Sequence, residues 1–156
     1  MSVLVRVDDR LVHGQVVVGW GRALKLHTIV LVDDTIAAST WEQDLYRMGI
    51  PPEMTVEFMS VNAAPAQFAA WESDGDHVMI LVGDVATLAR LCAAAPVTRV
   101  NLGGVHQGPG RAQRLPYLFL SHDEAAQLQA LADLGVAITA QDVPTTRPVP
   151  LHEVLE

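Results

Sequence analysis

The sequence predicts a single α/β domain spanning residues 1–156, built as a doubly wound, mostly parallel sheet with helices on both faces. Three observations predict it. Short β-branched runs alternate with helix-length segments along the whole chain. Two of the runs, IVLV and VMILV, are continuously apolar, as strands buried on both faces are, rather than alternating. The strand–helix spacing suits right-handed crossovers between parallel neighbours.

Each element follows in order. SVLVRV reads as a first strand and GQVVVGWGRAL as the helix after it. TIVLVDD is a second strand. STWEQDLYRM is a helix opening at Ser39 or Thr40 with a polar cap. TVEFMS is a third strand, followed by a helix from about Ala64 to Glu72. HVMILV is a fourth strand with VATLARLCAAA as its helix, RVNL a short fifth and PYLFL a sixth. HDEAAQLQALADLG is a helix that Gly135 stops. VAITAQDV is the final strand, and LHEVL a terminal helical turn. GIPPE and PTTRPVP read as loops. No internal repeat or domain linker is visible.

The composition excludes several classes. A net charge of −8 argues against general nucleic-acid binding, which needs clustered lysine and arginine. Cys92 is the only cysteine, so neither an internal disulfide nor a thiolate metal cluster can form. It lies in the apolar LARLCAAA and reads as a buried structural thiol. MSVLVRVDDR meets charge too soon for a signal peptide. No apolar run is long enough to span a bilayer. A soluble, cytoplasmic protein is expected, reaching any membrane by docking to other proteins.

In such a fold, ligands bind beyond the carboxyl ends of the strands. Those ends hold Asp8, Asp9, Arg10 and His13 after the first strand, Asp33 and Asp34 after the second, Gly83 and Asp84 after the fourth, and Asn101, Gly103 and Gly104 after the fifth. The densest cluster is the first, in VRVDDRLVHGQV. Its residue types suit phosphoryl transfer. An imidazole such as His13 is nucleophilic near neutral pH. The planar fork of Arg10 could clamp the oxygens of a transferring phosphoryl group. Gly14 lets backbone approach closely, and the helix that begins at Gly14 and Gln15 offers unpaired N–H groups to a phosphate. Asp8 or Asp9 could hold the imidazole in one tautomer. Position alone leaves the loop open to a plainer reading, as turn chemistry with a surface ion pair and a loop histidine.

VRVDDRLVHGQV resembles the active-site segment of the IIB component of the mannose/fructose/sorbose-type phosphotransferase system. The resemblance continues through Trp20, TIVLVDD with TIAAST, ILVGDVATLARL, VNLGGV and GVAITAQDVP, and so spans nearly the whole chain. It implies an open, mostly parallel α/β fold and a phosphocarrier. His13 matches the phosphorylated histidine, Arg10 the arginine of the motif and Asp8 the acidic residue before it. The implied partners are a phosphorylated IIA protein as donor and integral-membrane components that hold the sugar. No cofactor or metal is implied, and a homo-oligomer stays open. After VNLGG this chain has HQGPGRAQR in place of the family's Gly-Lys-Thr-like stretch, with Arg111 expected to stand in for the lysine as a phosphate ligand. Two other functions compete: a regulatory or orphan IIB-like phosphoprotein, and a binding module with no phosphorylation.

The remaining candidates carry plainer readings beside functional ones. GGVHQGPGR could cradle a phosphate but lacks the P-loop ending, and reads as a flexible loop. His106 within it could touch a phosphoryl group or a partner, or be a simple loop residue. Asp33 and Asp34 read as turn chemistry leading into a helix rather than a metal pair. His27, His77 and His152 lack ligand spacing. Ser121 or His122 caps the following helix. A receiver domain is excluded because the third strand ends FMSVN, without an acceptor aspartate.

Overall fold

The computed structural model describes residues 3–12, 14–74 and 77–156. His13 therefore lies outside the described residues, as does Ser2 of the expected first strand. Of Gln15 only the backbone is described.

The strands are β1 (Leu4–Val7), β2 (Thr28–Val32), β3 (Thr55–Met59), β4 (Val78–Val82), β5 (Arg99–Leu102), β6 (Arg111–Leu115), β7 (Leu118–Ser121), β8 (Ala137–Ala140) and β9 (Val149–Pro150). Seven form one sheet in the order β3-β2-β4-β1-β5-β8-β9, all parallel except β9, which runs antiparallel to β8. β6 and β7 make a separate antiparallel hairpin. The helices are α1 (Gly21–Leu24), α2 (Asp34–Ala37), α3 (Thr40–Met48), α4 (Phe68–Ser73), α5 (Val85–Ala94), α6 (His122–Asp133) and α7 (Leu151–Val154).

The two apolar cores lie on opposite faces, because side chains alternate along each strand. Val5 and Val7 of β1, Ile80 and Val82 of β4 and Val100 and Leu102 of β5 pack with Trp71, Leu88, Leu91 and Leu128 of α4, α5 and α6. Ile29 and Leu31 of β2 and Met79 and Leu81 of β4 pack on the other face with Val17, Trp20 and Ile36. This is the doubly wound arrangement expected, and β4 is buried at every position. Each fully buried Leu or Ile contributes about 1.5–3 kcal/mol of transfer free energy.

The local signals act as the sequence suggests. Asp33 caps α2 by accepting from the Ile36 N–H at 2.9 Å, and Asp84 caps α5 by accepting from Thr87 at 2.6 Å. Asp34 accepts from the Val61 N–H and pairs with Arg90, so the Asp33–Asp34 pair is structural in both members. Ser121, not His122, caps α6, in a reciprocal capping box with Glu124. Gly135 sits at φ +100°, beyond the last turn of α6.

Four features differ from the expectation. The helix after β1 opens as a π-helical turn, Gln15–Trp20, before the α-helical Gly21–Leu24. Such turns are invisible to apolar periodicity. The short α2 takes in Asp34, the last residue of the expected second strand, and stands apart from α3, in a stretch too short to show helical periodicity. The Gly-rich stretch ends in β6, whose polar, half-exposed sequence carries no strand pattern. Two residues of PTTRPVP form β9, held only by pairing with β8, where an edge position tolerates Pro150.

Candidate functional site

β1 connects towards β2 on one side of the sheet and β5 towards β8 on the other, so the switch point lies between β1 and β5. Their carboxyl ends hold the first-loop cluster. The Asp8 N–H bonds the Val82 carbonyl at 2.9 Å and the Asp9 N–H the Gly104 carbonyl at 2.8 Å, stitching the loop to β4 and β5. Leu11 takes a positive φ of 55°, in the left-handed region that a leucine adopts only under tertiary constraint.

The centre of the cluster is a ladder of three charges. Asp8 is wholly buried. Its Oδ2 accepts from Arg6 Nη2 at 3.1 Å and Arg10 Nη2 at 2.7 Å, and its Oδ1 from Arg10 Nε at 2.8 Å and the Arg10 N–H at 3.1 Å. Burial alone would raise the Asp8 pKa. Hydrogen bonds from Arg10 and the charges of Arg6 and Arg10 outweigh it and hold the carboxyl below its usual value. Arg10 is raised, first by its hydrogen bonds to Asp8.

Arg6 is the residue that sequence reasoning missed. It is fully buried on β1, in register with Leu81 of β4 and Asn101 of β5. It donates to Asn101 Oδ1, to the Gln141 carbonyl at 2.9 Å and to the Asp142 carbonyl at 3.0 Å, and its guanidinium lies 4.6 Å from the centre of the Trp20 ring. The segment after β8 is thereby fastened over the site, and Asp142 Oδ1 comes within 3.3 Å of Arg10 Nη2. The signal was present: a charge amid valines on a central strand needs buried partners. Gly103 and Gly104 make room for the ladder. A Cβ on Gly103 would collide with the Arg6 guanidinium and the Asp8 carboxylate, and one on Gly104 would stand 3.2 Å from Arg10 Nε.

The other expected ligands divide. Asp9 turns to the loop that follows β5, where its Oδ2 accepts from the His106 N–H at 2.7 Å and its Oδ1 lies 2.8 Å from His106 Nδ1. That second approach is a close contact rather than an aligned hydrogen bond. Arg111 opens β6 and forks onto both oxygens of Glu124 at 2.9 and 3.0 Å, with Nη1 bonded to the His106 carbonyl. Its described bonds thus anchor the hairpin to α6. Gly14 caps the π turn, and a Cβ there would meet nothing within 4 Å, so no described neighbour demands glycine. Cys92 has its thiol pushed up to about 11 by burial, in keeping with a structural role.

A cavity of about 200 Å³ opens beside the ladder. Val105, Pro116, Tyr117 and Phe119 wall it, and Arg10, His106 and Asp142 form its polar end. A larger one of about 310 Å³ lies before β2, among Val17, Arg22, Lys25, His27 and Met54, apart from these charges.

The family model described as the phosphotransferase (PTS) system sorbose subfamily IIB component matches residues 2–156. The chain belongs to this family. This IIB component is 28% identical over 143 residues to the sorbose-specific EIIB component of Lacticaseibacillus casei, covering 91% of this chain and 87% of that one. It is 27% identical over 143 residues to the mannose-specific EIIAB component of Escherichia coli strain K12, covering 91% of this chain but 44% of that longer one. The crystal structure of manxB from Thermoanaerobacter tengcongensis superposes with a TM-score of 0.89 at 30% identity, covering 99% of this chain and 95% of that one. Membership makes this IIB component part of sugar phosphotransferase chemistry. Among its described residues no helix is long and apolar enough to cross a membrane.

Proposed function

We propose that this IIB component accepts a phosphoryl group on His13 from a phosphorylated IIA protein and passes it to a sugar held by integral-membrane components. The observation that carries the reading is the buried Asp8 gripping Arg10 at the switch point, in the turn that leads to His13. Two parallel bonds fix the plane of the guanidinium before any phosphoryl group arrives, so no reorganisation is needed during transfer. The bidentate pair uses the Nε and Nη2 edge of Arg10, and Nη1 lies outside it. Among the described residues, Asp8 acts on Arg10 and Arg6. Gly14 and Gln15 supply backbone at the start of the π turn to a bound phosphoryl group. Arg111 acts through the hairpin rather than as a direct phosphate ligand.

A partner in IIA chemistry is supported by the mannose-specific EIIAB relative, whose name joins both functions in one chain. The described cavity beside Arg10 is small, about 200 Å³, which suits a carrier that meets two large partners in turn. Sugar phosphorylation needs the acceptor held with water excluded. The test is sugar-phosphate formation from phosphorylated IIA and this protein, with and without membranes carrying the cognate integral components. Formation only with membranes is expected. Robust formation without them would mean that the protein binds sugar itself, and the carrier reading would fail.

A further inference from the structure

The ladder leaves an electrostatic shortfall. Among the described residues, the groups meeting between β1, β5 and the segment after β8 are the guanidinia of Arg6 and Arg10 and the carboxylates of Asp8, Asp9 and Asp142. Two cations face three anions there. A transferring phosphoryl group adds negative charge spread over three oxygens. Neighbouring Arg111 is committed to Glu124 and also feels the charges of Asp9 and Asp84. These five described groups therefore present a net negative charge to an arriving dianion.

We propose that His106 supplies a balancing cation, as a second phosphoryl-binding side chain opposite Arg10. The two line the same cavity. Asp9 holds the His106 ring by its Nδ1 side and its backbone N–H, and Arg111 holds its carbonyl, so the residue is fixed at three points. Its side chain is nonetheless 75% exposed. A protonated imidazole carries an N–H on each ring nitrogen, so with Nδ1 beside Asp9 the Nε2–H is left as a second donor. An exposed ring on a backbone held at both ends, with a carboxylate beside it, is placed to meet something that comes from solvent. Asp9 balances the charge of the empty site, and the arriving phosphoryl oxygens then share the imidazolium. The charged groups facing His106 are Asp9 from the β1 loop, Arg111 from β6 with Glu124 behind it, and Arg10 and Asp142 across the cavity.

The inference rests on the phosphocarrier reading for its natural ligand, but its test does not. Inorganic sulfate keeps a double charge across the range in which imidazoles titrate, so its binding reports the protein's charge alone. Sulfate is titrated into the whole protein by calorimetry at about pH 5.5 and about pH 8, in the wild type, His106→Gln and His106→Lys. The wild type should bind roughly five- to tenfold more tightly at the lower pH, as one added charge-assisted hydrogen bond would give. His106→Gln should bind weakly at both values, and His106→Lys should restore affinity and remove the pH dependence. Wild-type behaviour in His106→Gln, or no sulfate binding by the wild type, overturns the inference. Phosphoryl labelling of His13 in the same variants separates the two ideas. Labelling with unaltered sulfate binding sinks only the role of His106, whereas the sulfate pattern without labelling sinks only the carrier reading.

Discussion

The carboxylate of Asp8 holds Arg10 by two parallel bonds, 2.8 Å to Nε and 2.7 Å to Nη2, with no exposed surface of its own. The same carboxylate neutralises Arg6 on the core side, so one aspartate sets the position of two guanidinia.

Asp8→Asn should therefore destabilise the protein by about 3–5 kcal/mol near neutral pH, because a buried guanidinium loses its counter-charge. The folded Asp8 carboxyl titrates below its unfolded value of about 3.9. Its stabilisation is then complete above about pH 4 and is lost as pH falls through the lower folded value. Urea unfolding across pH should show an acid limb that is flatter in Asp8→Asn. Equal stability of variant and wild type at neutral pH would show that the ladder does not hold the fold.

The space for that ladder comes from Gly103. A methyl group there would stand 2.6 Å from the Arg6 guanidinium carbon and from Asp8 Oδ2. Gly103→Ala should cost about 1–3 kcal/mol by overpacking. Gly104→Ala, with its nearest contacts at 3.2 and 3.4 Å, should cost less. Thermal unfolding of both variants measures the difference, and the reverse order would contradict the geometry.

How far the site could be read from its sequence depends on how local each part is. The Asp8, Arg10 and Gly14 positions stood in one short motif after a strand, and the continuous apolar runs marked a sheet covered on both faces. Arg6 was readable too, as a charge where a central strand should be apolar, but its partners Asn101, Gln141 and Asp142 are far along the chain. No periodicity reports such pairings. The Gly103–Gly104 requirement is likewise set by side chains from another strand. The resemblance alone points to Arg111 as a stand-in for a phosphate-binding lysine, and its pairing with Glu124 on α6, which ties the hairpin to the helix, is another contact that no local pattern announces.

Arg10→Lys should slow phosphoryl transfer by about tenfold or more, or about 1.4 kcal/mol, while the fold survives. A lysine cannot reproduce the planar fork on Asp8 and at the same time face a phosphoryl group. Single-turnover transfer from phosphorylated IIA, with unfolding measured in parallel, tests this. An unchanged rate would remove Arg10 from the machinery.

The central claim is that His13 carries the phosphoryl group. The direct measurement is to incubate the protein with phosphorylated IIA, digest it without acid, and locate the phosphoryl group by mass spectrometry in the wild type and in His13→Ala. The account predicts one modified residue, His13, and no label in the variant. A label that persists in His13→Ala, or a wild type that stays unlabelled by a cognate donor, would contradict it.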